Sequence, residues 1–154
     1  MEDARAATTD DFARIGELAR ALRAELAEER GGPLWAARES QPEPLADVLA
    51  ARLDRDDAIV LVGTFDDVTV GYGTAWIDHP RDGSRLGVID EIYVEPEARG
   101  VGVGETLVER LVAFCVHAGC SGIDATALPG HRQAKNFFER AGFSARLLVM
   151  HKSI

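Results

Sequence analysis

The sequence predicts a mixed α/β sheet in one domain, an antiparallel meander followed by strand–helix–strand–helix–strand. Three observations carry that prediction. Between residues 58 and 94, apolar β-branched runs alternate with short turn signals. From residue 103 onward, helical periodicity alternates with short strand-like runs. No repeat, low-complexity tract or linker divides the 154 residues, the length of one ordinary domain, so residues 1–154 are read as a single unit.

The elements follow in order. Arg5 to Thr8 reads as a short first strand. Phe12, Ile15, Leu18, Leu22 and Leu26 then recur at spacings of three and four, the apolar face of a helix. Thr8 with Asp11 resembles a capping pair at its start, and Gly31-Gly32-Pro33 stops it. A loop from Gly31 to Pro44 carries Leu34 and Trp35. It leads to a second helix with Leu45, Val48, Leu49 and Leu53 on one face. Ala58–Phe65 and Val68–Ile77 read as strands joined by an Asp66-Asp67 turn, with Gly71 and Gly73 marking a bulge or close approach. A turn over Asp78–Ser84 leads to a third strand, Arg85–Val94. Val103–Ala118 is a helix ended by Gly119, with Val103, Leu107, Leu111 and Phe114 inward. Ser121–Leu128 is a strand, Arg132–Arg140 a helix ended by Gly142, and Ala145–His151 a last strand. That order implies a mixed sheet with helices on both faces.

Composition narrows the function. A chain 46% hydrophobic and 28% charged fills a core. A net charge of −9 disfavours phosphate-backbone binding, so nucleic acid is excluded as the expected partner. It suits a cationic acceptor only weakly, and solubility is the simpler explanation of an acidic total. No apolar run approaches the roughly 20 residues of a membrane helix, and the first residues lack a signal-peptide pattern. Cys115 and Cys120 match neither a redox pair nor a zinc set, so the expectation is a cytoplasmic protein with reduced thiols and no metal.

The informative stretch runs from Val88 to Leu107: strand, turn, glycine-rich loop, helix. Gly100, Gly102 and Gly104 alternate with Val101 and Val103, ahead of Glu105 and Thr106. Glycines let the backbone turn its N–H groups toward one point, and a helix N-terminus adds the positive end of its dipole. Together they make an anion site that fits a pyrophosphate, with the positive charge of Arg99 beside it. No lysine follows Gly104, which rules against a Walker loop, and Glu105 breaks a G-x-G-x-x-G fingerprint.

Here the chain resembles a family. Arg99-Gly100-Val101-Gly102-Val103-Gly104 matches the R/Q-x-x-G-x-G/A loop of the GNAT superfamily of N-acetyltransferases. Ile92-Tyr93-Val94-Glu95-Pro96 matches the strand and turn ahead of that loop. Ala134-Lys135-Asn136-Phe137-Phe138-Glu139-Arg140-Ala141-Gly142-Phe143 resembles the second signature, A-x-x-F-Y-E-x-x-G-F. The resemblance implies a GNAT-like domain with splayed central strands, here Arg85–Val94 and Ser121–Leu128, and acetyl-CoA as co-substrate in the opening. It implies that the backbones of Ile92 and Val94 meet the pantetheine amides. An N–H near Ile92 or Tyr93 would face the thioester oxygen, and the amides of Val101 to Gly104 the pyrophosphate. His131, Asn136 and Phe138 are further cofactor contacts on this resemblance. An amine acceptor is the implied partner, and a homodimer is among the implied assemblies.

The amine must lose a proton, and a carboxylate near the strand opening is the usual agent. Asp90 and Glu91 are the catalytic candidates, Asp90 first. Strand alternation places them on opposite faces, with Asp90 sharing parity with Ile92 and Val94. Phe138 stands where the resemblance expects a Tyr, so that proton donor for the leaving thiolate is missing. The alternative to an enzyme is an acyl-CoA-binding module with weak or no catalysis. The resemblance makes the first two helices and their loop the acceptor wall, where Trp35 is either a hydrophobic plug or a stacking surface.

Overall fold

The computed structural model describes residues 1–154. Five strands form one sheet in the order β1-β2-β3-β4-β5: β1 (Glu2–Ala6), β2 (Ala58–Phe65), β3 (Val68–Asp78), β4 (Leu86–Val94) and β5 (Gly122–Ala125). The first four are antiparallel neighbours, and β4 pairs with β5 in parallel. The helices are α1 (Phe12–Ala27), α2 (Gly32–Arg38), α3 (Leu45–Leu53), α4 (Val103–His117) and α5 (Arg132–Arg140).

Strand alternation divides the core in two. On one face α1, α2 and α3 bury Ile15, Leu18, Leu22, Trp35 and Leu49 against Val60, Val62, Tyr72 and Tyr93. On the other, Val103, Leu107 and Leu111 of α4 cover Leu61, Ala75, Ile89 and Val94. Close approach of α4 is set by glycine. A Cβ on Gly63 would lie 2.7 Å from Val103, and one on Gly87 would lie 2.4 Å from the Cys115 sulfur. Cys115 is fully buried there, and burial pushes its thiol up to about 11. The Asp66-Asp67 turn closes the β2–β3 hairpin with both residues at positive φ, 48° and 64°, as a two-residue hairpin of matching twist requires.

Two expectations are corrected. The connection from Gly31 to Pro44 is partly helical: Gly31, at φ +81°, turns the chain into α2, which buries Trp35 under the sheet. Trp35 is therefore a plug. The turn depends on Gly32, where an added Cβ would sit 1.6 Å from the Leu26 carbonyl oxygen. Gly32→Ala should cost about 4 kcal/mol or more and displace α2, read as a lowered denaturation midpoint. Second, Ala145–His151 forms no strand. Residues 144–154 run without helix or ladder, and Leu147, Leu148, Val149 and Met150 stay 68–89% exposed.

Candidate active site

β4 and β5 pair only from Leu86–Gly122 to Ile89–Ala125. Beyond Ile89 the two strands part. β4 continues to Val94 with β3 as its only ladder partner, and the chain after Ala125 leaves the sheet. This is the splay expected of the central strands.

A bulge sits at the point of parting. Thr74 pairs with Glu91 but Ala75 pairs with Ile89, so Asp90 is the extra residue. The bulge resets strand parity. Ile89, Ile92 and Val94 face α4, whereas Glu91 and Tyr93 face the α1–α3 side. Asp90 reaches that second side too, accepting a 2.7 Å hydrogen bond from the Thr74 hydroxyl. The expectation of opposite faces for Asp90 and Glu91, with Asp90 on the side of Ile92 and Val94, is thus overturned.

The two carboxylates have different environments. Arg52 of α3 donates from Nη2 to Asp90 Oδ2 at 2.6 Å and from Nη1 to Oδ1 at 3.2 Å, so Asp90 is held by a cation. Glu91 has no ion pair and is 5% exposed. Its Oε1 accepts from the Tyr72 hydroxyl at 2.7 Å, and its Oε2 accepts from the Gln41 backbone N–H at 2.8 Å. Burial raises the Glu91 carboxyl above its ordinary value of 4.5, and those two donors only partly offset this. Burial first, and the Glu91 charge second, drive the Tyr72 hydroxyl well above 10, so it stays a donor. Gln41 links the pair: its Nε2 donates to Thr74 Oγ1 at 2.9 Å, while its Oε1 is buried without a partner.

Both carboxylates line a cavity of about 50 Å³ with Trp35, Leu128, His131 and Phe138. That volume suits one or two waters, enough for a proton relay. Across Gln41 lies a wider polar pocket of about 400 Å³, walled by Arg23, Arg38, Ser40, Gln41 and Glu43. Gln41 thus stands between this pocket and Glu91.

The glycine loop lies at the far end of β4. Gly100 and Gly102 take φ values of +81° and +93°, and Gly102 caps α4. Thr106 closes the first turn, its N–H and hydroxyl donating to the Gly102 carbonyl at 3.0 and 2.9 Å. The amides of Gly100, Val101, Gly102, Val103, Gly104 and Glu105 make none of the backbone hydrogen bonds found in turns and caps. Those at the helix start have no partner one turn earlier, which leaves donors for an anion. Gly104 is close to α5, where an added Cβ would meet the Phe137 ring at 3.1 Å.

Arg99 does not lie free beside this loop. Its Nε donates to the Val94 carbonyl at 2.8 Å, its Nη2 to Glu25 at 2.7 Å and its Nη1 to Gln133 at 3.2 Å. Its guanidinium carbon is 5.4 Å from the centre of the Tyr93 ring. It therefore clamps β4 to α1 and α5. His131, at the start of α5, places Nε2 3.4 Å from the same Glu25. Phe138 is buried and packs edge-on against Phe137 and Phe143. Asn136 is exposed and lines neither cavity. Tyr72, Thr74, Gln41 and Arg52 were not anticipated. Tyr72 and Thr74 had one signal, their placement at i and i+2 on a single face of β3. No group of three or more His, Cys, Asp or Glu side chains is placed to hold a metal ion, and no helix is long and apolar enough to cross a membrane.

This chain is similar to several acetyltransferases. It is 27% identical over 113 residues to the aminoglycoside N(6')-acetyltransferase type 1 of Stenotrophomonas maltophilia, covering 71% of this chain and 74% of that protein. It is 27% identical over 73 residues to the thialysine N-epsilon-acetyltransferase of Bos taurus, 47% of this chain and 43% of that protein. The matched stretch thus spans less than half of that relative. Among solved structures, glucosamine-6-phosphate N-acetyltransferase from Arabidopsis thaliana shares the fold with a TM-score of 0.71 at 22% identity, covering 99% and 98% of the two chains. An acetyltransferase of Trypanosoma brucei gives 0.70 at 21% identity over the whole of both chains. The model of the acetyltransferase (GNAT) family matches residues 19–143, and this chain belongs to that family.

Proposed function

We propose that the chain is an N-acetyltransferase that moves an acetyl group from acetyl-CoA to a primary amine by direct attack in a ternary complex. The observation that carries this reading is the position of Glu91, a buried carboxylate with a raised pKa at the point where β4 and β5 part.

The residues present fit the co-substrate. The unpaired amides from Val101 to Glu105 suit a pyrophosphate, and Gly102, at φ +93°, lets the backbone turn at the start of α4. The unladdered edge of β4 at Ile92 offers backbone groups to the pantetheine amides, whereas the Val94 carbonyl is already held by Arg99. Bound acetyl-CoA would supply an activated acyl carbon and a sulfur leaving group. A backbone N–H near Ile92 or Tyr93 then stabilises charge on the carbonyl oxygen.

Glu91 receives the proton that the attacking amine sheds, directly or through water in the small cavity. Its raised pKa makes it a better proton acceptor than an ordinary surface carboxylate. Asp90, neutralised by Arg52 and held by Thr74, is instead a positioning residue that fixes the bulge. The pocket of about 400 Å³ beside Gln41 is the acceptor entrance, within the usual range for small-molecule sites. Names of the relatives, with aminoglycoside, thialysine and phosphinothricin as acceptors, support a small amine.

A binding module is the second reading. Phe138 has no hydroxyl to protonate a leaving thiolate, and the Tyr72 hydroxyl is committed to Glu91. Free-thiol release from acetyl-CoA, measured with a panel of amines, separates the two. Release with at least one amine is expected. Tight acetyl-CoA binding with no release from any of them would leave the module, and absence of binding would end both.

A further inference from the structure

Acetyl transfer moves two protons, one off the amine and one onto the departing sulfur. Glu91 takes the first. The second needs a donor at the same opening, and the tyrosine hydroxyls do not supply it. Tyr72 donates to Glu91, and Tyr93 stands under Arg99, outside the small cavity. Three titratable side chains line that cavity: Asp90, Glu91 and His131. Asp90 is tied to Arg52, and Glu91 is the acceptor. His131 remains, and it alone of the three donates from a cationic form.

The path of the chain brings His131 there. After Ala125 the backbone leaves the sheet, and the His131 N–H donates to the Leu128 carbonyl at 3.0 Å, closing a turn just ahead of α5. The His131 side chain is 16% exposed, and its Nε2 stands 3.4 Å from Glu25 Oε2. Arg99 Nη2 holds Oε1 of the same carboxylate at 2.7 Å, which fixes Glu25 in place. A carboxylate on one ring nitrogen orients an imidazole and leaves the other nitrogen for chemistry. Here that other nitrogen is Nδ1.

We propose that His131 is the general acid of this chain, giving its Nδ1 proton to the sulfur of coenzyme A as the acetyl group departs, with Glu25 as its positioning residue. This role rests on the acetyl-transfer reading. Glu91 takes the amine's proton as the carbon–nitrogen bond forms. His131 gives up its proton as the carbon–sulfur bond breaks with both electrons on sulfur. The products are the amide and the free thiol, with Glu91 protonated and His131 neutral. Both side chains line the cavity, so water held there returns the proton from Glu91 to His131, and none is gained or lost over the cycle.

His131→Gln keeps a polar group for Glu25 but has no acidic proton. Turnover should fall by roughly 10²–10⁴-fold, with coenzyme A affinity nearly unchanged. The ultraviolet absorbance of the coenzyme A thiolate, read as a difference from the free protein, gives a measurement that needs no turnover. A thiol beside a protonated imidazole is acidified. Coenzyme A bound to wild type should therefore show a larger thiolate fraction at neutral pH than free coenzyme A, and that excess should vanish in His131→Gln. Turnover or the thiolate excess kept in the variant overturns the proposal. So does lost affinity with unchanged turnover at saturation, the mark of a mere contact. Wild-type protein without the thiolate excess overturns it with no variant needed, which covers a His131→Gln that does not fold. Wild-type protein that releases no thiol with any amine ends the acetyl-transfer reading and this role with it, whereas release that survives His131→Gln ends this role alone.

Discussion

Glu91→Gln should lower turnover by roughly 10²–10⁴-fold, the range for loss of a general base, with little change in acetyl-CoA affinity. The amide keeps the shape, its oxygen still accepting from the Gln41 N–H and its NH2 donating to the Tyr72 oxygen once that hydroxyl turns, but it accepts no proton. In the wild type, activity should rise with pH through the raised Glu91 pKa, because only the carboxylate accepts the amine's proton. That limb should vanish in the variant. Stability gives an independent reading. Native Glu91 holds its proton to higher pH than the unfolded chain does, so the native state binds more protons between the ordinary 4.5 and the raised value. Stability therefore falls as pH climbs through that window and stays reduced above it. Glu91→Gln lacks this loss and should melt higher than wild type at neutral pH, with the gain disappearing in acid. A variant that is inactive and also less stable at neutral pH would point to a structural defect instead.

Gly102→Glu should weaken acetyl-CoA binding by at least about a hundredfold, equivalent to about 2.7 kcal/mol. Three effects act in one direction. Gly102 holds φ at +93°, where an L side chain is strained. An added Cβ would meet Glu2 Cγ at 3.2 Å. The new carboxylate would also stand at the N-terminus of α4, where the ligand's own negative charge is expected. Gly102→Ala retains the strain without the charge and should fall between. Calorimetric titration with coenzyme A distinguishes them. Unchanged affinity in the Glu variant would remove this loop from the cofactor site.

Local signals made much of the architecture readable. Gly119 and Gly142 end helices at positive φ, and Asp66-Asp67 closes its hairpin, because those roles depend on a few neighbouring residues. The bulge at Asp90 depends on how β4 registers against Thr74 and Ala75, which lie far away in sequence. One clue was present. Consecutive acidic residues in a strand covered on both sides would force one carboxylate under α4, and the extra residue avoids that burial. Arg99 looked like a phosphate contact because its partners Glu25 and Gln133 come from helices remote in the chain. Gln41 carried no pattern at all. Its role arises from where α2 deposits the chain, which rests on the contact between Gly32 and the end of α1. The final apolar run reads as a strand by propensity, but a strand exists only where a ladder partner is met, and residues 144–154 meet none.

The seating of Cys115 beneath Gly87 has a practical corollary for any assay that counts liberated coenzyme A with a disulfide reagent. Its sulfur is sealed from solvent and its thiolate is scarce at neutral pH, so it should remain silent. Cys120, only partly covered, is then the sole protein thiol able to react. The blank should plateau at one equivalent per folded chain, and a second equivalent would signal unfolding.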